Sequence, residues 1–352
     1  MKILSIIGAR PQFVKEAIVQ YELNKIEGVQ EVLVHTGQHY DENMSGSFFK
    51  TLNIKEPDYN LGISGSTHGK MTGEMLIRIE ELLLREKPDL VLLYGDTNST
   101  LAGALAAAKL KIDVAHVEAG LRQEPKDMPE ELNRVLTDRI SKYLFVPSEY
   151  GMENLRREGI TEGVHFTGDV MYDVFLKMKP RFDHAYYKAL GLEEDGYLVM
   201  TMHRDFNVDD PDILRSILQG IEQIAREIPI VFPIHPRTKK MVEMFGLENY
   251  LEQVMVLQPI DYLKLMGLTS HAKGAITDSG GFQKETYFAG KRALVLMPDT
   301  SWIELVDHGI NQLVDGQNLY ESYKSMGAKE FEHGIYGDGT AASKIVKVLT
   351  DR

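Results

Sequence analysis

The apolar residues of this chain come in short unbroken runs, and a helix-like pattern follows almost every run. Ile3-Leu4-Ser5-Ile6-Ile7, Glu31-Val32-Leu33-Val34-His35, Asp89 to Tyr94, Ile112 to Val117 and Tyr143 to Val146 read as strands. Between them, 11–23, 69–86, 99–110 and 130–142 carry apolar residues at helical spacing. A strand with one face in water alternates apolar and polar residues, whereas an unbroken run is buried on both faces. Continuous strands joined by helices therefore predict a parallel sheet covered on each side. The second half repeats the plan, with strands at 197–202, 229–234, 253–257, 273–277 and 292–297 and helices at about 210–227, 236–245, 261–270 and 280–289. The expected fold class is α/β: two doubly wound, Rossmann-like parallel-sheet domains with a cleft between them. The composition loosens between Tyr172 and Glu194, which places the domains at 1–170 and 171–338. A last helix within 339–352 is expected to pack back across both.

A chain of 352 residues has room for two such cores without metals or crosslinks. It contains no cysteine, which excludes disulfides, zinc ribbons, iron–sulfur clusters and thiol nucleophiles. No metal site is expected either, because His35 and His39 lack the glutamate of a zinc-binding H-E-x-x-H pair. With 39 basic and 52 acidic residues the net charge is −13, which argues against nucleic acid or an anionic membrane as partner. No apolar run nears the roughly 18 residues of a membrane helix. The N-terminal run is cut short by Arg10 before it could act as a signal peptide, so a soluble cytoplasmic protein is expected.

Six polar clusters stand where predicted strands end: Gly8-Ala9-Arg10-Pro11, Gly95-Asp96-Thr97, His116 to Arg122, His203-Arg204, His235-Pro236-Arg237 and Asp278-Ser279-Gly280-Gly281. In open α/β sheets these ends are where ligands bind. Arg10 is either an anion contact or a solvated turn arginine, and the missing third glycine of G-x-G-x-x-G disfavours a dehydrogenase-type dinucleotide site. Ser279, Gly280 and Gly281 would cap a helix and let backbone N–H groups approach a diphosphate, with Glu285 further in for ribose hydroxyls. The alternative is a capped helix whose glycines serve close packing. Asp96, Glu118 and Glu130 are acids placed for proton transfer, although Asp96 could instead be an N-cap and Glu130 a first-turn charge favoured by the helix dipole. His203 and His235 read as proton donors or phosphate contacts, against the alternative of core histidines. Trp302 reads as a packing residue.

Taken in order, Gly8 to Pro11, Gly95 to Thr97, His116 to Arg122, Pro129 to Arg134, Thr167-Gly168-Asp169, His203-Arg204 and Asp278 to Gln283 resemble the motifs of the non-hydrolysing UDP-N-acetylglucosamine 2-epimerases. The resemblance covers nearly the whole chain. It implies a GT-B type fold, no cofactor, a UDP-sugar substrate, a homodimer and a role in making surface-polysaccharide precursors. It also implies a reaction in which UDP leaves C1 as a base takes the C2 proton, giving a 2-acetamidoglucal, after which UDP adds back with protonation from the other face. Asp96, Glu118, Glu130 and His203 correspond to the family's catalytic residues. Arg10, Lys15, Arg134, His235, Ser279, Gly280, Gly281 and Glu285 correspond to its binding positions. Three features depart from many members: Gln12 replaces a glutamate, Trp302-Ile303-Glu304 replaces Arg-Pro-Glu, and the loop Gln38 to Ser45 differs from the one that supplies a regulatory UDP-sugar site in some. These departures look like the subgroup acting on UDP-2,3-diacetamido-2,3-dideoxyglucuronate, which is the alternative substrate. A GT-B glycosyltransferase is the alternative from another class of function.

Overall fold

The computed structural model describes residues 1–37, 55–327 and 330–351. The loop Gln38 to Ser45 and the side chain of Arg10 lie outside the described residues. The first sheet contains β1 (Lys2–Ile7), β2 (Gln30–His35), β3 (Tyr59–Asn60), β4 (Leu90–Tyr94), β5 (Asp113–Val117), β6 (Tyr143–Val146) and β7 (Val164–Phe166). Its order is β3-β2-β1-β4-β5-β6-β7, with every neighbouring pair parallel. The second contains β8 (Leu198–Thr201), β9 (Ile230–Pro233), β10 (Met255–Leu257), β11 (Gly274–Thr277), β12 (Arg292–Val295) and β13 (Asn311–Leu313). Its order is β10-β9-β8-β11-β12-β13, again parallel throughout. The unbroken apolar runs are thus strands covered on both faces, and all five residues of β4 are buried.

The helices obey the same economy of burial. In the helix Pro211–Ala225, Leu214, Ile217, Leu218, Ile221 and Ile224 form one stripe packed on β8 and β9 residues such as Met200 and Phe232. Each such side chain contributes about 1.5–3 kcal/mol by leaving water. Asp210 accepts the N–H groups of Asp212 and Ile213 at 2.8 and 3.1 Å, and Pro211 fills the first turn, so the helix starts where the pattern does. Among the described residues no helix is long and apolar enough to cross a membrane.

The chain divides into two compact units, Met1–Leu176 with Gly334–Arg352, and Lys177–His333. Between Tyr172 and Glu194, where composition suggests a linker, the chain forms the helix Val170–Met178, a 3-10 turn at Lys179–Arg181 and the helix Tyr186–Ala189. The returning C-terminal segment is clasped within the first unit by backbone contacts. Asp169 donates its N–H to the Tyr336 carbonyl at 3.0 Å, and the positive-φ glycines Gly168 and Gly337 pass so closely that a Cβ on Gly337 would lie 2.9 Å from the Gly168 Cα. The helix Ala341–Thr350 then packs on the helix Arg10–Leu23.

Asp173 fixes the start of that last helix by accepting the N–H groups of Ala341 and Ala342 at 3.1 and 2.8 Å. Burial, with help from Asp169 and Asp338 and against those two hydrogen bonds, pushes its carboxyl from an ordinary 3.8 up to about 6. A raised acid binds its proton more tightly in the folded chain, so its contribution is full below the unfolded value and declines as pH climbs from about 4 to 6. That decline is worth on the order of 3 kcal/mol. Asp173→Asn, which keeps an acceptor without the charge, should flatten the melting temperature across this window. Equal pH slopes in thermal melts of the two proteins would contradict the assignment.

Candidate active site

In each sheet the strand order turns back between two neighbours, β1 and β4 in the first unit and β8 and β11 in the second. Such switch points open a crevice beyond the strand C-termini. Most of the residues singled out from the sequence lie near these two places; Glu130 stands apart, exposed on the helix Pro129–Ile140, and the Arg10 side chain is outside the described residues.

In the first unit, β1 runs into Gly8, where a Cβ would lie 2.0 Å from the Ser99 hydroxyl and 2.4 Å from that of Thr36. Only glycine lets the turn approach so closely. The buried Gln12 amide oxygen accepts the N–H groups of Gly8 and Ala9 at 2.7 and 3.0 Å. Its nitrogen donates to the Tyr94 carbonyl and to the hydroxyls of Thr97 and Thr100 at 3.1 and 3.0 Å. Gln12 therefore ties the turn after β1 to the turn after β4, a task for which a carboxylate lacks the donor. One turn further along, Lys15 forms an ion pair with Glu118, each side chain only 10% exposed. Glu118 itself sits at φ 72°, a left-handed conformation that costs a non-glycine residue about 1–3 kcal/mol.

The helix Asn98–Lys109 is capped by Thr97, whose side chain accepts the Thr100 N–H, so Asp96 is not the cap. Asp96 instead pairs with Arg134, and Asn133 donates to the Asp96 carbonyl at 2.9 Å. Arg134 also holds Glu131 at 2.8 Å, and Glu131 accepts the Gln123 N–H at 3.1 Å. Burial alone would lower the Arg134 pKa, but the charges and hydrogen bonds of Asp96 and Glu131 raise it above the usual arginine value. A Cβ on Gly95 would lie 3.3 Å from Glu118 Oε2, so the Asp96 turn and the Glu118 carboxylate meet. Glu130 stands exposed in the first turn of the helix Pro129–Ile140, beside the buried Glu131.

In the second unit, β8 ends at Thr201 and β11 at Thr277, whose hydroxyls are 2.7 Å apart. Beyond them the fully buried Asp278 accepts the N–H groups of His203 and Arg204 at 2.9 and 2.8 Å and the Asn207 amide at 3.2 Å. His203 Nδ1 lies 3.3 Å from the same carboxylate, and the His203 ring centre is 5.6 Å from that of His235. Burial would raise the Asp278 pKa, but the bonds from His203, Arg204 and Asn207 hold it below the usual range. Burial, followed by the nearby His203, lowers His235, whose Nδ1 accepts the Arg237 N–H at 3.2 Å.

Ser279 caps the helix Gly280–Phe288 by accepting the Phe282 N–H. A Cβ added at Gly281 meets nothing within 4 Å, and one at Gly280 meets only the Trp302 indole nitrogen at 4.0 Å. Neither glycine has a positive φ. Close packing therefore does not explain them, and the helix start is open to an incoming anion. Trp302 donates its indole N–H to the Gly280 carbonyl at 2.8 Å, with Lys284 Nζ 3.7 Å from its ring centre. Glu285 lies half-buried one turn into the helix. Among the described residues no group of His, Cys, Asp and Glu stands where it could hold a metal.

A family model for UDP-N-acetylglucosamine 2-epimerase matches residues 21–350. The chain belongs to this family. Over 99% of both chains it is 45% identical to the UDP-2,3-diacetamido-2,3-dideoxy-D-glucuronate 2-epimerase of Pseudomonas aeruginosa. It is 42% identical, over 99% of both chains, to the UDP-N-acetylglucosamine 2-epimerase of Methanocaldococcus jannaschii. A crystal structure of the latter organism's UDP-GlcNAc 2-epimerase with UDP-GlcNAc and UDP superposes with a TM-score of 0.84 at 41% identity, covering 100% of each chain. The fold class is accordingly α/β with two parallel doubly wound sheets of GT-B type.

Three residues of these hydrogen-bond networks were not singled out from the sequence. Asp278 appears there only as the first residue of its cluster, and only the fold shows it holding His203. Glu131 stands next to the better-signalled Glu130, yet it is the acid that meets Arg134. Asp138 lies 22 residues beyond its partner His116, a separation at which no local pattern exists.

Proposed function

We propose that this chain is a non-hydrolysing UDP-sugar 2-epimerase that interconverts UDP-GlcNAc and UDP-ManNAc. The observation that carries the reading is the pair of acids at neighbouring strand ends: Asp96 beside Arg134 and Glu118 beside Lys15, the turn of one touching the carboxylate of the other. The C2 proton of this sugar is not next to a carbonyl, so exchange at C2 goes through loss of UDP from C1. One acid takes the C2 proton as the C1–O bond breaks, leaving a 2-acetamidoglucal and UDP. UDP re-adds at C1 while a proton returns to C2 from the opposite face. The first unit carries the proton-handling groups. In the second, the open helix start at Ser279 to Gly281, with His203 fixed by Asp278, offers dipole and donors for the charge that builds on the departing diphosphate.

A second reading keeps the mechanism and changes the sugar to UDP-2,3-diacetamido-2,3-dideoxyglucuronate. It is favoured by Trp302, whose indole N–H bonds to the Gly280 carbonyl at a position where many members carry an arginine. Gln12 does not discriminate by contact, since its amide is spent inside the fold. Each UDP-sugar, incubated separately in deuterated water without an acceptor, distinguishes the readings. Deuterium at C2 of both UDP-GlcNAc and UDP-ManNAc supports the first. Exchange only in the diacetamido uronate supports the second, and exchange in neither overturns both.

A further inference from the structure

His116 lies on β5, wholly buried, and both of its ring nitrogens are engaged. Nε2 is 2.7 Å from the Gly95 carbonyl, and Nδ1 is 2.7 Å from Asp138 Oδ1. A carbonyl can only accept, so Nε2 carries a proton. The other oxygen of Asp138 accepts the Gly120 N–H at 3.1 Å and the Arg122 guanidinium at 2.8 Å. Arg122 is in turn held by Glu158 in a two-pronged pair at 2.6 and 2.8 Å. A carboxylate fed by an arginine and a backbone N–H is the acceptor in its bond to His116, so Nδ1 carries a proton as well. Burial would raise the Asp138 pKa, yet its hydrogen bond and charge pairing with His116, followed by Arg122, hold it below the ordinary aspartate value. The series Glu158, Arg122, Asp138, His116 then alternates in sign and sums to zero, running from the half-buried Glu158 to the wholly buried Asp138 and His116.

The far end of this series is the peptide that joins Gly95 to Asp96. Gly95 is at φ 61°, and glycine has little preference of its own between orientations of the following peptide. The hydrogen bond from His116 supplies that preference. Turning that planar trans peptide about its axis swaps C=O for N–H and changes φ of Asp96 with it, so the backbone from which the Asp96 side chain springs depends on this bond. We propose that His116 is a buried imidazolium acting as a positioning residue: by holding the Gly95 carbonyl it fixes the direction in which Asp96 presents its carboxylate. The inference rests on the 2-epimerase reading of Asp96.

His116→Phe removes the donor while filling the space. Turnover of the UDP-sugar should fall about 10²-fold with KM little changed, the signature of a misdirected reacting group. His116→Gln, which retains a donor, should recover part of the loss. Full activity in His116→Phe would overturn the proposal. Nitrogen-15 spectra of the intact, histidine-labelled protein test it independently of turnover. One solvent-protected histidine should show a proton on each ring nitrogen, and Asp138→Asn should abolish that signal. If the variants do not fold, the parent spectrum decides: absence of any such histidine overturns the assignment. If the parent protein epimerises no UDP-sugar, the functional reading fails while the spectrum still judges the imidazolium.

Discussion

Glu118→Gln is expected to lower turnover about 10³-fold while leaving UDP binding within a few-fold of the parent, as seen by calorimetry. A positioned acid or base typically contributes 10²–10⁴ in rate, and the amide has the same shape but cannot take a proton. The substitution also leaves Lys15 buried without its counter-charge, and breaking one side of a buried pair costs about 3–5 kcal/mol. Melting temperature should therefore fall along with activity, which by itself would not separate chemistry from folding. Adding Lys15→Met separates them: the double variant should regain most of the stability and none of the turnover. Turnover within tenfold of the parent in Glu118→Gln would remove this residue from the chemistry, whatever the melting data show.

Gly281→Val should act in the opposite manner, leaving folding intact and abolishing ligand capture. Because a Cβ there meets no atom within 4 Å and the backbone is not left-handed, the fold gives valine room. Valine is a better helix residue than glycine, so the melting temperature should hold or rise slightly. The added methyl groups stand where a diphosphate must approach the helix N–H groups, and UDP affinity should fall about 10²-fold, close to 3 kcal/mol. Unchanged UDP binding would show that the open helix start is not the anion site. A drop in melting temperature would mean that the space in front of Gly281 is already used by the protein.

The parallel sheets were legible in the sequence because buried strands announce themselves as unbroken apolar runs. β3, β7 and β13 were not, because they have only two or three residues and their pairing is imposed by neighbours. The site was legible as a set of strand ends, since polar residues at the C-terminus of an apolar run have few structural reasons to be there. Its internal wiring was hidden. Nothing local marks Thr97 rather than Asp96 as the cap, since both residue types serve that role. Nor does spacing reveal that Asp278 and His203, 75 residues apart, share hydrogen bonds. The glycines at 280 and 281 illustrate the remaining ambiguity: a packed glycine and a ligand-facing glycine are the same letter, and only the empty space beside them separates the two.

The return of residues 334–352 to the first unit has a consequence for synthesis. Lys177–His333 is one continuous stretch, so it can leave the ribosome complete and close its own sheet while the first unit still lacks its last helix. Nascent chains usually finish folding from the N-terminus onward. Here the earlier-made unit is the later one to be completed, because the helix Ala341–Thr350 that packs on its helix Arg10–Leu23 is translated only after the second unit.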